Sequence, residues 1–225
     1  MNVVLTREAG KNDELRTWLP NDFTVNDVPL TTTHYLAIDD VAREIADGGH
    51  VGKYETLVVT STRAKDYLDL AREALAPDAD VFSVGPASTR ALVERGFAVT
   101  GEATSRARDL AARITRGPVL LLGASQMRSE LADDLNDRGL DVVHVACYET
   151  RPVAPRDDEI ALLRSADVVF VGAPSAWSVA AAFVGPQTWV VVPGATTGDA
   201  VRRDHERVVE GWGPLIGGVL SSLTL

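Results

Sequence analysis

Short apolar runs recur along the chain, each followed by a longer stretch in which apolar residues return at helical spacing. The runs are Asn2–Leu5, Phe23–Val28, Thr56–Val59, Val81–Val84, Phe97–Val99, Val119–Leu122, Asp141–Val145, Val168–Val171, Trp189–Val192 and Arg207–Val209. Helical periodicity marks Ile38–Ala46, Thr62–Ala74, Ala87–Arg95, Arg106–Ile114, Ser125–Asp137, Asp157–Arg164, Ser175–Phe183, Thr197–Arg203 and Leu215–Leu223, and a polar, helix-capable stretch runs to Leu19. Strands of a few residues alternating with helices predict βα units and parallel sheets. A strand-plus-helix period of about 25 residues suits right-handed crossovers.

Two places break the alternation. At Asp141-Val-Val-His-Val-Ala-Cys-Tyr-Glu-Thr-Arg-Pro152 an apolar strand runs directly into polar residues that end on a proline. Proline cannot donate to a sheet ladder, and it pushes the preceding residue toward extended geometry. A similar connector, Val28-Pro-Leu-Thr-Thr-Thr33, follows the second apolar run. Two extended connectors bracketing half the chain predict one domain inserted into another. The expected division is residues 1–29 plus 153–225 for a discontinuous first domain and 35–147 for the inserted one. Segments 30–34 and 148–152 would be the linkers, and Tyr148 would stand at the junction. Counting strands gives two five-stranded parallel sheets. An internal echo supports the pairing: Leu57-Val-Val-Thr-Ser-Thr-Arg-Ala64 resembles Val168–Ala176, and Val84-Gly-Pro-Ala-Ser-Thr-Arg-Ala91 resembles Val192–Ala200.

The 225 residues are 45% hydrophobic, enough for packed cores. A formal charge of −10 argues against nucleic-acid binding, which needs a basic face. Three lysines (Lys11, Lys53, Lys65) stand against nineteen arginines, and Asp outnumbers Glu. This bias resembles that of proteins adapted to high salt, where an acidic surface stays hydrated; drift in a GC-rich genome is the other reading. One cysteine, Cys147, excludes an internal disulfide and reads as a small buried hydrophobe. No secretory leader or bilayer-spanning run is evident, so a cytoplasmic protein that meets no membrane is expected.

Several chemistries lack their signatures. The chain has no G-x-G-x-x-G, no P-loop and no G-x-S-x-G, and His34, His50, His144 and His205 lack metal-ligand spacing. Neither a cofactor nor a metal is therefore expected. What remains is a set of hydroxyl-bearing turns: Thr60-Ser61, Ser88-Thr89, Pro174-Ser175 and Thr196-Thr197. Each follows a strand and opens a helix, where free backbone N–H groups favour carboxylate or phosphate. Arg7, Arg63 and Arg128 are candidate charged additions. For each hydroxyl the plain alternative is a helix cap, and for each arginine a solvated surface role.

These residues carry a family resemblance. Val4-Leu-Thr-Arg7, Pro29, Val59-Thr-Ser61, Val84-Gly85 with Ser88, Leu122-Gly123 with Arg128 and Leu131, Tyr148-Glu-Thr150, Phe170 with Pro174-Ser175, and Gly194-Ala-Thr-Thr197 resemble uroporphyrinogen-III synthases in order and spacing. The resemblance spans essentially the whole chain. It implies two flavodoxin-like domains joined by a two-stranded linker, with a linear tetrapyrrole, hydroxymethylbilane, as the small-molecule substrate and the chain acting as a monomer. It implies Tyr148 as the catalytic residue and Arg7, Thr60, Ser61, Ser88, Pro174, Ser175, Thr196 and Thr197 as substrate-binding positions. Tyr148 also has a plain reading, that of an amphipathic ring packed at a strand end. The chain departs from the family pattern at Glu8, where proline is usual, at Ala173 for serine, Ser88 for threonine and Gly198 for alanine. A different class with the same outline is the two-lobed, non-catalytic small-molecule binding protein, or a family member without activity.

Overall fold

The computed structural model describes residues 1–103, 107–211, 213, 214 and 216–222. In chain order the strands are β1 (Asn2–Leu5), β2 (Thr24–Asp27), β3 (Thr31–Tyr35), β4 (Tyr54–Val59), β5 (Leu75–Ser83) and β6 (Gly101–Glu102). They continue as β7 (Val119–Ala124), β8 (Val142–Pro152), β9 (Val168–Phe170), β10 (Trp189–Val192) and β11 (Val208–Glu210). The helices are α1 (Asp13–Thr17), α2 (Ile38–Asp47), α3 (Leu68–Ala74), α4 (Pro86–Glu94) and α5 (Glu130–Asp137). After them come α6 (Asp157–Arg164), α7 (Pro174–Ala180), α8 (Ala195–Val201) and α9 (Ile216–Ser221). The chain divides into two compact units, Met1–Thr33 with Thr150–Leu225, and His34–Glu149.

The first unit holds a five-stranded sheet in the order β11-β10-β9-β1-β2, its strands paired in parallel. Numbered within the unit this is the 2-1-3-4-5 order of a doubly wound sheet, with its switch point between β1 and β9. Val4, Val169, Val190 and Val192 face one helical layer, which includes Trp177 and Ala180 of α7; Leu5, Phe170 and Val191 face the other, with Leu15 and Ile216. Apolar side chains on both faces explain why these strands read as continuous Val runs rather than alternating ones.

The second sheet has six strands in the order β3-β8-β7-β4-β5-β6. Its five inner-unit strands run 3-2-1-4-5, the other common doubly wound order, and its switch point lies between β4 and β7. Leu57, Val59, Leu120 and Leu122 pack on one side with α2 and α3, while Val58, Leu121, Leu131 and Leu135 pack on the other.

Mixed α/β architecture with two parallel-dominated sheets is therefore as expected, and several local expectations are corrected. The second sheet gains a sixth strand because the Thr31–Tyr35 connector joins its edge beside β8. Phe97–Val99 is not a strand. Phe97 is drawn into the core under the Arg72 guanidinium, 4.0 Å from its ring centroid, and pairing with β5 begins only where the Thr100 N–H donates to the Val81 carbonyl. Thr62–Tyr67 is a 3-10 helix ahead of α3, and residues 125–129 form turns before α5. Of the segment Arg106–Ile114, Ala107–Leu110 is a 3-10 turn. The helix bounds expected at Arg106, Leu215 and Leu223 lie outside the described residues. Among the described residues no helix is long and apolar enough to cross a membrane.

Candidate functional site

In a parallel sheet every strand delivers its next loop to the same edge, so turns far apart in sequence collect at the carboxyl ends. In the first unit, Thr6 and Arg7 follow β1, Pro174 and Ser175 follow β9, and Thr196 and Thr197 follow β10. Arg7 and Pro174 thus flank the switch point. Thr6 fixes the exit of β1 by donating both its N–H (3.1 Å) and its hydroxyl (2.8 Å) to the Phe170 carbonyl. The aliphatic stem of Arg7 lies against Gly172, where an added Cβ would stand 3.0 Å from Arg7 Cγ. Pro174 occupies the first position of α7, where its missing N–H costs nothing. Thr196 is exposed and Ser175 half-buried, whereas Thr197 is buried. Glu8, the departure after Arg7, accepts from Thr33: one carboxylate oxygen takes the N–H and the other the hydroxyl, each at 2.8 Å. That pair fixes the end of the first connector.

In the second unit the edge carries Thr60 and Ser61 after β4, Ser88 in the first turn of α4 after β5, and Tyr148 late in β8. The hydroxyls here are occupied or buried. Thr60 donates N–H and Oγ1 to the Leu122 carbonyl, both at 3.1 Å. Ser61 Oγ accepts the Arg63 N–H at 3.3 Å, as the cap of the 3-10 turn. Ser88 is buried, and its neighbour Thr89 bonds Ser83 and Glu102. Gly123 is required beside Thr60, since a Cβ there would meet Thr60 Oγ1 at 2.7 Å and Met127 Sδ at 2.9 Å. Arg128, exposed, reaches Glu130 at 3.5 Å.

Tyr148 owes its direction to an irregularity that the apolar pattern did not announce. Gly123 pairs with Ala146, yet Ala124 pairs with Tyr148, so Cys147 is an extra residue on β8. Such a bulge shifts the in-out phase and re-aims the side chain that follows it. As a result Cys147 and Tyr148, adjacent in sequence, both join the same core. The Tyr148 ring is 6% exposed, its carbonyl accepts the Ser125 N–H at 2.8 Å, and the Arg63 guanidinium lies over it, 5.5 Å from the centroid. At that distance the cation and the ring face attract. Tyr35 is the other ring beside it, 6.5 Å between centroids and tilted by 51°. No acceptor for the Tyr148 hydroxyl is found among the described residues.

Burial pushes the Cys147 thiol up to about 12, so it is a thiol at neutral pH and no nucleophile. His144, also on β8, is held below the ordinary imidazole range by burial, and its Nε2 is buried without a hydrogen-bond partner. No group of three or more His, Cys, Asp or Glu side chains among the described residues could hold a metal ion.

The family model described as uroporphyrinogen-III synthase HemD matches residues 21–210. Among solved structures, a mutant uroporphyrinogen III synthase from the extremely thermophilic bacterium Thermus thermophilus is 14% identical, with a TM-score of 0.66 over 98% of this chain and 96% of that one. Uroporphyrinogen-III synthetase from Helicobacter pylori 26695 is 15% identical, with a TM-score of 0.62 over the same shares. No curated protein sequence matches. At these identities the structures establish the fold, and the family model, spanning most of the chain, establishes the kinship. The chain belongs to the uroporphyrinogen-III synthase family.

Proposed function

We propose that this protein cyclises hydroxymethylbilane to uroporphyrinogen III, inverting the last pyrrole ring, as a lyase of tetrapyrrole biosynthesis. The observation that carries the reading is Tyr148: in a chain of this family, a bulge turns a phenol at the carboxyl edge of the second sheet toward Tyr35 and Arg63. The substrate is a chain of four pyrroles bearing eight carboxylates. Loss of its terminal hydroxyl gives an azafulvene cation, which is attacked by the already substituted carbon of the last ring. The resulting spiro intermediate fragments and recloses with that ring inverted.

In water the same substrate closes unaided to the uninverted I isomer. The enzyme's contribution is therefore mostly geometric, holding the two ends together and denying the direct closure. The Tyr148 phenol O–H supplies the proton donor for the departing hydroxyl. Arg7, Thr60, Ser61, Ser88, Pro174, Ser175, Thr196 and Thr197 are assigned to the carboxylate-bearing arms. In the second unit backbone N–H groups are the better donors, because its hydroxyls already have partners or are buried. The test is incubation with fresh hydroxymethylbilane, followed by oxidation and separation of isomers. Product dominated by III supports the reading; the I isomer alone, at the rate seen in buffer, refutes it.

A further inference from the structure

Among the described residues, four large hydrophobic side chains in the second unit are exposed: Tyr35 (50%), Ile38 (56%), Val51 (50%) and Val93 (57%). A single exposed apolar side chain needs no explanation. Tyr35 differs from the others in how firmly it is held and in what it stands beside. The next residue, Leu36, donates its N–H to the Cys147 carbonyl at 3.0 Å, and its own carbonyl accepts the Tyr67 hydroxyl at 2.6 Å. Burial pushes the Tyr67 phenol up, so this donor stays protonated. One backbone rung thus ties the residue after Tyr35 to the residue before Tyr148, and a buried tyrosine locks that rung. The outcome is an exposed ring fixed beside a buried one, with the Arg63 cation over the buried partner.

A pinned, half-exposed aromatic beside a buried phenol suits one kind of ligand part, a flat heteroaromatic ring. The exposed face offers offset stacking. We infer that Tyr35 is a substrate-positioning residue, its ring stacking on a pyrrole of hydroxymethylbilane and holding it against Tyr148. The inference rests on the function proposed above. Stacking on a ring that stays aromatic through the reaction is uniform binding, so its loss falls on KM rather than kcat.

The experiment compares Tyr35→Phe, Tyr35→Leu, Tyr35→Ala and, as a control on an exposed apolar site elsewhere in the same unit, Val93→Ala. Because Tyr35 is half in solvent, all four should fold. The expected result is a KM near the parent for Tyr35→Phe and Val93→Ala. For Tyr35→Leu and Tyr35→Ala, KM should rise by about three- to tenfold with kcat within about twofold of the parent. Anaerobic calorimetric titration with uroporphyrinogen III should give the same ranking of affinities without turnover. Equal KM for Leu and Phe variants, or an effect on kcat alone, overturns the stacking role. If the parent makes no III isomer yet binds the tetrapyrrole in a Tyr35-dependent way, the catalytic reading falls and the stacking inference stands. If binding is indifferent to Tyr35, the inference falls whatever the activity.

Discussion

At the carboxyl edge of the first sheet Thr196 is exposed and Ser175 half-buried, each in the first turn of a helix. At the edge of the second, Thr60 is bonded to Leu122, Ser61 caps its own turn and Ser88 is buried. The motifs that place these hydroxyls look alike in sequence, strand then small hydroxylated turn then helix. Their side chains nevertheless serve different ends: Thr60 is cinched to the neighbouring strand, as Thr6 is in the first unit, whereas Thr196 stands exposed. What the second unit adds is aromatic: Tyr148 lies under Arg63, with Tyr35 beside its ring. Under the function proposed above, this edge supplies the proton donor and a ring-binding face, and the first unit's contribution is its solvent-facing polar groups.

The largest effect is expected for Tyr148→Phe, which removes one polar atom and no packing volume. Formation of the III isomer should fall by roughly ten- to a thousandfold, if one positioned donor is worth about 1.4–4 kcal/mol. Because uncatalysed closure competes, the I isomer should accumulate in its place. A Tyr148→Phe protein that makes III at the parent rate would return Tyr148, 6% exposed, to a packing role and leave positioning as the whole mechanism.

Next in size is an alkaline effect confined to the second unit. Burial raises the Cys147 thiol from its ordinary range to about 12, so above pH 9 the unfolded chain loses a proton that the folded chain keeps. The stability this group contributes is present below pH 9 and lost as pH rises toward 12, by about 1.4 kcal/mol per pH unit at most. Chemical denaturation at pH 8 and pH 10 should show a steeper loss for the parent than for Cys147→Ala. His144 acts in the opposite direction. Its folded value is depressed, so stability should fall as pH drops below about 6.5. A Cys147→Ala protein with the parent's alkaline slope would remove the thiol from this account.

The parallel sheets were legible because buried strands such as Val190–Val192 and Leu120–Leu122 are apolar on both faces and separated by helical periods. The linker's pairing was not, since Thr31–Tyr35 is polar and joins an edge, where burial imposes no apolar pattern. The bulge at Cys147 was equally invisible: a one-residue slip in register leaves no mark in a run of apolar residues. For the same reason Tyr35 was missed. It follows a row of threonines, and only three-dimensional pairing brings it to Tyr148. The hydroxyl turns are legible from their place between strand and helix, and Tyr148 from its place at the connector, its catalytic role coming from the family resemblance; whether a hydroxyl faces solvent or a neighbouring carbonyl depends on strand pairing that local sequence does not encode.

A smaller effect sharpens the contrast between the hydroxyls directly. Thr60→Val should lower stability by about 1 kcal/mol through loss of the bond to Leu122, while Thr196→Val, at an exposed site, should change it by less than about 0.5 kcal/mol. For substrate the order should invert, KM rising by up to about tenfold in Thr196→Val and little in Thr60→Val. Urea midpoints and KM values for the two variants test this together. Matching profiles would mean that the two edges use their threonines alike.

The smallest expected effect is one the two units share. The first carries 13 acidic against 9 basic side chains and the second 19 against 13, so the excess of carboxylates is spread over both. Local clusters follow the same imbalance. Arg116 alone faces Glu55, Asp78 and Asp80, and Arg95 faces Asp66 and Asp69. Exposed pairs of this kind are worth about 0–1 kcal/mol each, so their screening costs little, whereas repulsion among the surplus carboxylates is relieved. Raising chloride from tens of millimolar to the molar range shortens the Debye length from about 30 Å to about 3 Å. The thermal midpoint should therefore climb by a few degrees, about 2–4 °C for each kcal/mol gained in a chain of this size. If calorimetry resolves a transition for each unit, both should move upward. A midpoint that stays flat or falls with added chloride would leave the acidic bias as composition without consequence for stability.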